Sequence, residues 1–453
     1  MKCFALIALV VSWGAPGRPT PAGELQLVLD DLAGIAPAAR ADVRYLSLYA
    51  VPPGERQAAL AAVSFVLNSV SRADVVVRPD VVPHSEGRLL RIALSAYGVP
   101  AVAWEQLAAD DPYWHLRTQV VDPAGGQLRE VRTDGGWVDL QAAAALRQAT
   151  QSTAALLRAD FFIARAATTA AGGHYYRLAG IPPREADFLQ LVGIERDTID
   201  RLRADAGANL FRSQITFKPR RLVRRQGPLG GAWQTFDVVR GTAERDPFRN
   251  PFSFDFDASE HIAAKRNGLH LFALYDRRGQ RQDKVADEVA KDTSDPHGAG
   301  IVTPLISCVR CHVEDGLRPF TNDQQRLLAG GVELLAERPS ALQRLAAFYG
   351  TDLQRPLARD REDYAAAVAL ATDGWSVFEA ARALAVVFSR YSDELVGPAE
   401  AAREVGVDVA QLGIRLRAAT DPVLLALAEE IAVQRSQWEA SFGTAALLCA
   451  EAE

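Results

Sequence analysis

Residues 43–70, "VRYLSLYAVPPGERQAALAAVSFVLNSV", change their hydrophobic period part-way along, and that change sets the fold class. The first part, from "ADVRYLSLYAVP", reads as a strand running into the Pro52-Pro53 turn. Beyond the turn, Leu60, Val63, Val66, Leu67 and Val70 recur at intervals of three and four, the spacing of an amphipathic helix. Next, "GRLLRIALSAYGVP" (87–100) alternates like a second strand, and "AVAWEQLAADDPYW" (101–114) reads as a short helix. This β-α-β-α opening predicts an α+β domain over residues 23–135.

Outward from that opening, residues 136–250 read as a helical region carrying a β-hairpin. The Ala-rich run 138–172 is helical in pattern and is closed by Gly172-Gly173 at the C-cap position. "READFLQLVGIERDTIDRLRADAG" (184–207) continues as helices. "FRSQITFKPRRLVRRQGPLGGAWQTFDVV" (211–239) then reads as a hairpin about a Gly-rich turn. Residues 251–325 form a separate segment, with a short helix expected at "SEHIAAKRNG" and a strand at "LHLFALY". From 326 to 453, Ala and Leu repeat at three and four, predicting a helical domain, and no internal repeat has a fixed period. The fold class expected is therefore α+β and multi-domain.

Composition narrows the function classes. Hydrophobic residues at 49% and charged residues at 23% describe an ordinary globular chain. A net charge of -6 argues against nucleic acid or an anionic membrane surface as partner. At the N-terminus, Lys2 precedes an apolar run, Cys3 to Trp13, too short to span a bilayer, and small residues follow with Ala15 or Ala22 as cleavage points. Residues 1–22 thus read as a secretory signal. An exported, periplasmic protein without a membrane span after signal removal is expected.

Export sharpens the meaning of "TPLISCVRCHVEDGLRPF" (303–320). Cys308, Cys311 and His312 form a C-x-x-C-H run, the mark of covalent c-type haem attachment. On a helical turn these three positions share a face. Two thiols can then reach two vinyl groups of one porphyrin edge while the imidazole meets the iron as proximal ligand. Leu305, Ile306, Val309, Leu317 and Phe320 suit a porphyrin face, and Arg310 and Arg318 are available for its propionates. A disulfide or thiol redox pair competes, but no thioredoxin-like βαβ pattern surrounds the motif. A zinc site competes too, with Cys449 or another His completing four ligands. Cys449 itself lies on an apolar helical face and reads as a packed thiol.

The only Met is Met1, which leaves with the signal, so His/Met ligation of the iron is excluded. The sixth ligand must then be His, Lys or another group, or be missing; His261, His270 and His297, just upstream of the motif, are the named candidates, and an open or different sixth position is the other possibility. Lys218, Arg220, Arg221, Arg224 and Arg225 form a basic cluster on the hairpin, either a docking surface for an acidic partner or haem propionates, or a solvated edge strand guarded by charge.

The order "EHIAAKRNGLHLFALYDRRGQRQDKVADEVAKD…SCVRCHVEDGLRP" resembles large exported bacterial proteins of planctomycete type that contain a cytochrome c domain. The shared features are an N-G-L strand, a D-x-x-G-x-R-x-D turn and one C-x-x-C-H run in this order. The resemblance implies one covalent haem c, with thioethers at Cys308 and Cys311 and His312 as proximal iron ligand, and it carries no particular activity. The expected function is electron transfer with a periplasmic redox partner protein. The alternatives are a haem enzyme or gas or redox sensor with an open sixth iron position, and a binding protein in which haem is a structural staple.

Overall fold

The computed structural model describes residues 21–113, 119–121, 128–130, 140–194, 206–213, 216–251, 254–285, 289–292, 300–330, 339–393, 395–405 and 407–450. Most of the proposed signal segment, together with His115 and His297, lies outside these residues. The chain is α+β, with two main sheets and a helical C-terminal region.

In the first sheet, β1 (Val43–Ser47) is central. It pairs antiparallel with β3 (Leu89–Ala93), which also holds the short β2 (Asp80–Val81), and parallel with β6 (Leu156–Arg158). Every residue of β1 is buried, as expected of a strand covered on both faces. Val43 and Tyr45 face helices α1 (Pro21–Ala33) and α4 (Leu140–Thr150), whereas Leu46 faces α2 (Arg56–Val70). The Ala-rich run is therefore not helical throughout. Leu156–Arg158 leaves the helix to pair with β1, and Ala159–Ala166 (α5) resumes it. Helix α2 was expected to keep a wet face, yet residues 61–70 are all buried. The distant helix Val377–Ser392 lies across its outer side, so the polar Ser64 and Asn68 find backbone partners at Ala371 O and at Ser64 O and Val77 O.

Helix α3 (Ala101–Ala108) follows β3, and two short strands, β4 (Gln119–Val121) and β5 (Leu128–Glu130), pair with each other. The second main sheet is an antiparallel meander of five strands, each paired with the next in the chain. Its strands are β7 (Ala206–Leu210), β8 (Arg220–Gly227), β9 (Gly230–Asp237), β10 (Ala258–Ala264) and β11 (His270–Asp276). The hairpin expected over 211–239 is the β8–β9 pair. "SEHIAAKRNG" forms β10 instead of a short helix, because its alternate residues Ser259, His261 and Ala263 are buried between β9 and β11. The sheet thus joins 206–237 to 258–276. One large apolar core runs from Leu46 to Cys449, so the C-terminal helices are packed into the same interior as the opening α/β unit. No helix among the described residues is long and apolar enough to cross a membrane.

Candidate functional site

Cys308 and Cys311 lie on a short helix, Ile306–Cys311, which is anchored at its start by Ile306 N donating to Ala167 O at 2.9 Å. Helical hydrogen bonds continue through His312 N to Cys308 O at 2.8 Å and Gly316 N to His312 O at 3.0 Å. That geometry keeps Cys308, Cys311 and His312 on one face. The opposite face, with Val309 and Arg310, packs toward the helix Val377–Ser392.

Strand alternation builds the surface that meets them. Across the second sheet, Leu210 pairs with Arg220, Leu222 with Thr235, Thr235 with Glu260 and Trp233 with Ile262, so these side chains share one face. Between this face and the 302–326 segment lies a cavity of about 450 Å³, and Cys308, Cys311 and His312 all line it. Its size falls within the range of about 300–1,000 Å³ typical of small-molecule and cofactor sites. Leu222, Trp233, Ile262, Leu317 and Phe320 make much of the wall apolar, while Arg212, Arg318 and Arg326 bring charge from its exposed margin.

The cavity also holds a buried charged cluster. Arg220 donates through Nη2 to Thr235 Oγ1 (2.7 Å), Asp237 Oδ2 (2.7 Å) and Glu260 Oε2 (3.1 Å), and through Nη1 to Ser213 Oγ (3.1 Å). Burial pushes the Asp237 carboxyl up, opposed by Arg220. Three atoms of this cluster, Arg220 Nε, Asp237 Oδ1 and Glu260 Oε1, are buried without a partner.

Burial, reinforced by Arg318 and Arg220, pushes His312 down to about 4, so its imidazole is neutral and its lone pair is free at neutral pH. Its Nδ1 is buried without a partner. Burial pushes the Cys308 thiol well up, with Glu260, Cys311 and Asp292 adding to the effect. A reactive redox thiol needs the reverse shift. Among the described residues no three His, Cys, Asp or Glu side chains converge as a metal cluster, and structural zinc needs about four ligands. Among the described residues Cys308, Cys311 and Cys449 form no disulfide; the Cys311 thiol lies 3.8 Å from Asp292 Oδ1, and Cys449 is buried in the apolar core. Two cysteines outside any disulfide and a neutral imidazole on one cavity wall fit a covalently held porphyrin better than either rival.

The other candidates fare unevenly. His261 alternates away from Glu260 and Ile262, and its ring lies on the far side of the sheet. There its Nε2 meets Glu185 Oε1 at 2.7 Å, and its ring packs edge-on against Phe188 and Tyr275. Burial pushes Glu185 up, but His261 and Ser259 outweigh this and hold it below the usual carboxylate range. His261 reaches the cavity only through its strand. His270 does share the cavity-side face with Phe272 and Leu274, but its ring is stacked on Tyr364, 4.1 Å between centroids. Burial, then His312, pushes it down to about 3. His297 falls outside the described residues.

Of the two arginines expected at the propionates, Arg318 lines the cavity. Arg310 points away, bonding Ser389 Oγ at 3.0 Å and lying over the Phe388 ring. The basic cluster is also corrected. Arg220, Arg221 and Arg225 are buried, and β8 is an inner strand, so they form neither a docking surface nor a solvated edge. Arg224 is held by Asp360, which also accepts from Trp233 Nε1 at 2.8 Å. Only Arg220 reaches the cavity. The sequence reading missed Asp237, Glu260 and Trp233. The available signal was parity, since an alternating Arg-x-Leu-x-Arg strand followed by acids on neighbouring strands predicts buried pairs.

Comparison with protein-family models, curated proteins and solved structures gives no match to this chain.

Proposed function

We propose that this chain is an exported c-type haem protein that carries one covalent haem and transfers single electrons. The observation that supports the reading is the convergence of Cys308, Cys311 and the neutral His312 on one wall of the 450 Å³ cavity. Cys308 and Cys311 would hold the porphyrin through thioethers, and His312 would supply the proximal nitrogen to its iron. Bound there, haem supplies a one-electron iron couple. The chain's own residues do the rest. Leu222, Trp233, Ile262 and Leu317, which line the cavity, would exclude water from a porphyrin held there, and Arg318 at the margin would offer charge to its carboxylates. A periplasmic redox partner would exchange electrons at the exposed margin near Arg212 and Arg326.

A specific observation favours a second reading, in which the sixth iron position is open to an outside ligand. Of the two described histidines proposed for that position, His261 is held by Glu185 on the far side of the sheet, and His270, stacked on Tyr364 with its Nδ1 buried without a partner, does not line the cavity. The test is a pyridine haemochrome spectrum of protein made with a c-type maturation system. Expected is a c-type spectrum in the wild type, lost when both cysteines are replaced in Cys308→Ala/Cys311→Ala. A colourless wild-type protein would end the proposal.

A further inference from the structure

Arg220 is an unusual side chain to find in a cavity wall. It is only 6% exposed, on an inner strand, and shares the cavity wall with Leu222, Trp233 and Ile262. Burying a guanidinium is costly unless its donors are fully used. A buried pair costs least when every donor and acceptor is satisfied. Here Ser213, Thr235, Asp237 and Glu260 all bond the two terminal nitrogens, while Nε donates to nothing. On the acceptor side, Glu260 Oε1 and Asp237 Oδ1 are also without partners. The cluster therefore keeps a donor and acceptors in reserve beside a space that the sheet face and the C-x-x-C-H segment enclose together.

We infer that this sheet wall is a binding site for a small anionic or oxygen-donor ligand of the haem iron, with Arg220 donating a hydrogen bond to it and Glu260 setting the charge it meets. The inference rests on the haem reading above. In a haem pocket, the polarity and donors on the side away from the protein ligand decide whether outside ligands bind. His312 lines the motif wall and Arg220 the sheet wall of the same cavity, so a ligand taken up between the two walls could accept from the guanidinium. Hydrogen bonds to charged groups in an apolar setting are the strong ones. Glu260 and Asp237 act in the opposite sense. They repel an anion and hold Arg220 in place.

Fluoride is the probe for the ferric protein, because it binds through charge and accepts hydrogen bonds. Carbon monoxide is the probe for the reduced protein, because it accepts them poorly. Both are titrated by absorbance against full-length, haem-loaded protein. Wild type should shift its Soret band with each. Arg220→Lys, which removes the Nε donor but keeps a positive charge, should weaken fluoride binding at least about tenfold while carbon monoxide affinity stays within about threefold. Glu260→Gln, which preserves shape, should tighten fluoride binding severalfold, and it carries the test if Arg220→Lys does not fold. A haemochrome spectrum on the same samples separates the two levels. Haem present with no response to either probe overturns the inference and leaves the haem reading intact; His270→Ala restoring the response would then identify the occupant of the site. Equal fluoride affinity in wild type and both variants overturns it as well. No haem at all overturns both.

Discussion

The Glu404 side chain is fully buried, and its carboxylate is shared by two guanidiniums and an indole. It accepts from Arg158 Nη2 (3.0 Å), Arg435 Nη1 (2.7 Å) and Trp438 Nε1 (2.7 Å). Arg158 ends β6, whereas the other three residues belong to the C-terminal helices, so this network ties the first sheet to the helical region. Glu404→Gln keeps the shape and removes the charge. Burial pushes the Glu404 carboxyl up, but Arg158 and Arg435 outweigh it and hold it at about 2. The distance from its ordinary value of 4.5 down to about 2 corresponds to roughly 3 kcal/mol of stability. Leaving a buried charge unpaired costs about 3–5 kcal/mol on independent grounds. Arg158 keeps Asp160 at 2.7 Å and Arg435 keeps Glu400 at 3.8 Å, which places the expected loss at the lower end, about 3 kcal/mol. Because the folded value is depressed, the contribution is present above about pH 4.5 and is lost as pH falls through about 2. Urea unfolding at neutral pH measures it. A loss below about 1 kcal/mol would refute the claim that this charge joins the two regions.

Two further outcomes follow. Burial lifts Glu24, which accepts from Ser47 Oγ, to about 7, against Ser47, Arg88 and Arg56. Its folded value lies above the unfolded one, so its contribution is present below about pH 4.5 and lost as pH rises through about 7; Glu24→Gln should stabilise by up to roughly 3 kcal/mol near pH 8 and by almost nothing near pH 4, read from urea midpoints. Gly316 has φ of +77° and a Cβ there would come within 2.2 Å of Tyr364 Cδ1, so Gly316→Ala should destabilise by about 2–4 kcal/mol and lower haem content by disturbing the Tyr364–His270 stack; an unchanged melting curve would contradict the packing described.

How much was legible depends on whether the deciding interactions were local. The opening strand, turn and helix at 43–70 and the hairpin at 220–237 carry their own periodicity and turn residues, and they appear as read. "SEHIAAKRNG" does not carry its own. Ser, Glu and two Ala have little preference for strand, and only pairing with β9 and β11 settles the segment as one. Leu156–Arg158 is similar, three residues whose strand character comes wholly from β1, more than a hundred positions earlier. At the site, the C-x-x-C-H spacing announces itself, because covalent chemistry fixes it locally. Arg220 does not, since its burial follows from β8 lying one strand in from the edge, and that is a property of the whole sheet. His261 was misplaced for the same reason. In a helix it could turn toward the motif, but in β10 alternation commits it to Glu185.

The central claim is that sulfur–carbon bonds join a porphyrin to this one turn of helix. Tandem mass spectrometry of proteolysed, matured protein reads it directly. The account predicts a haem-bearing peptide containing residues 307–312, with Cys308 and Cys311 both resistant to alkylation and Cys449 alkylated after denaturation. Recovery of that peptide at its unmodified mass, with both thiols freely alkylated, would contradict it.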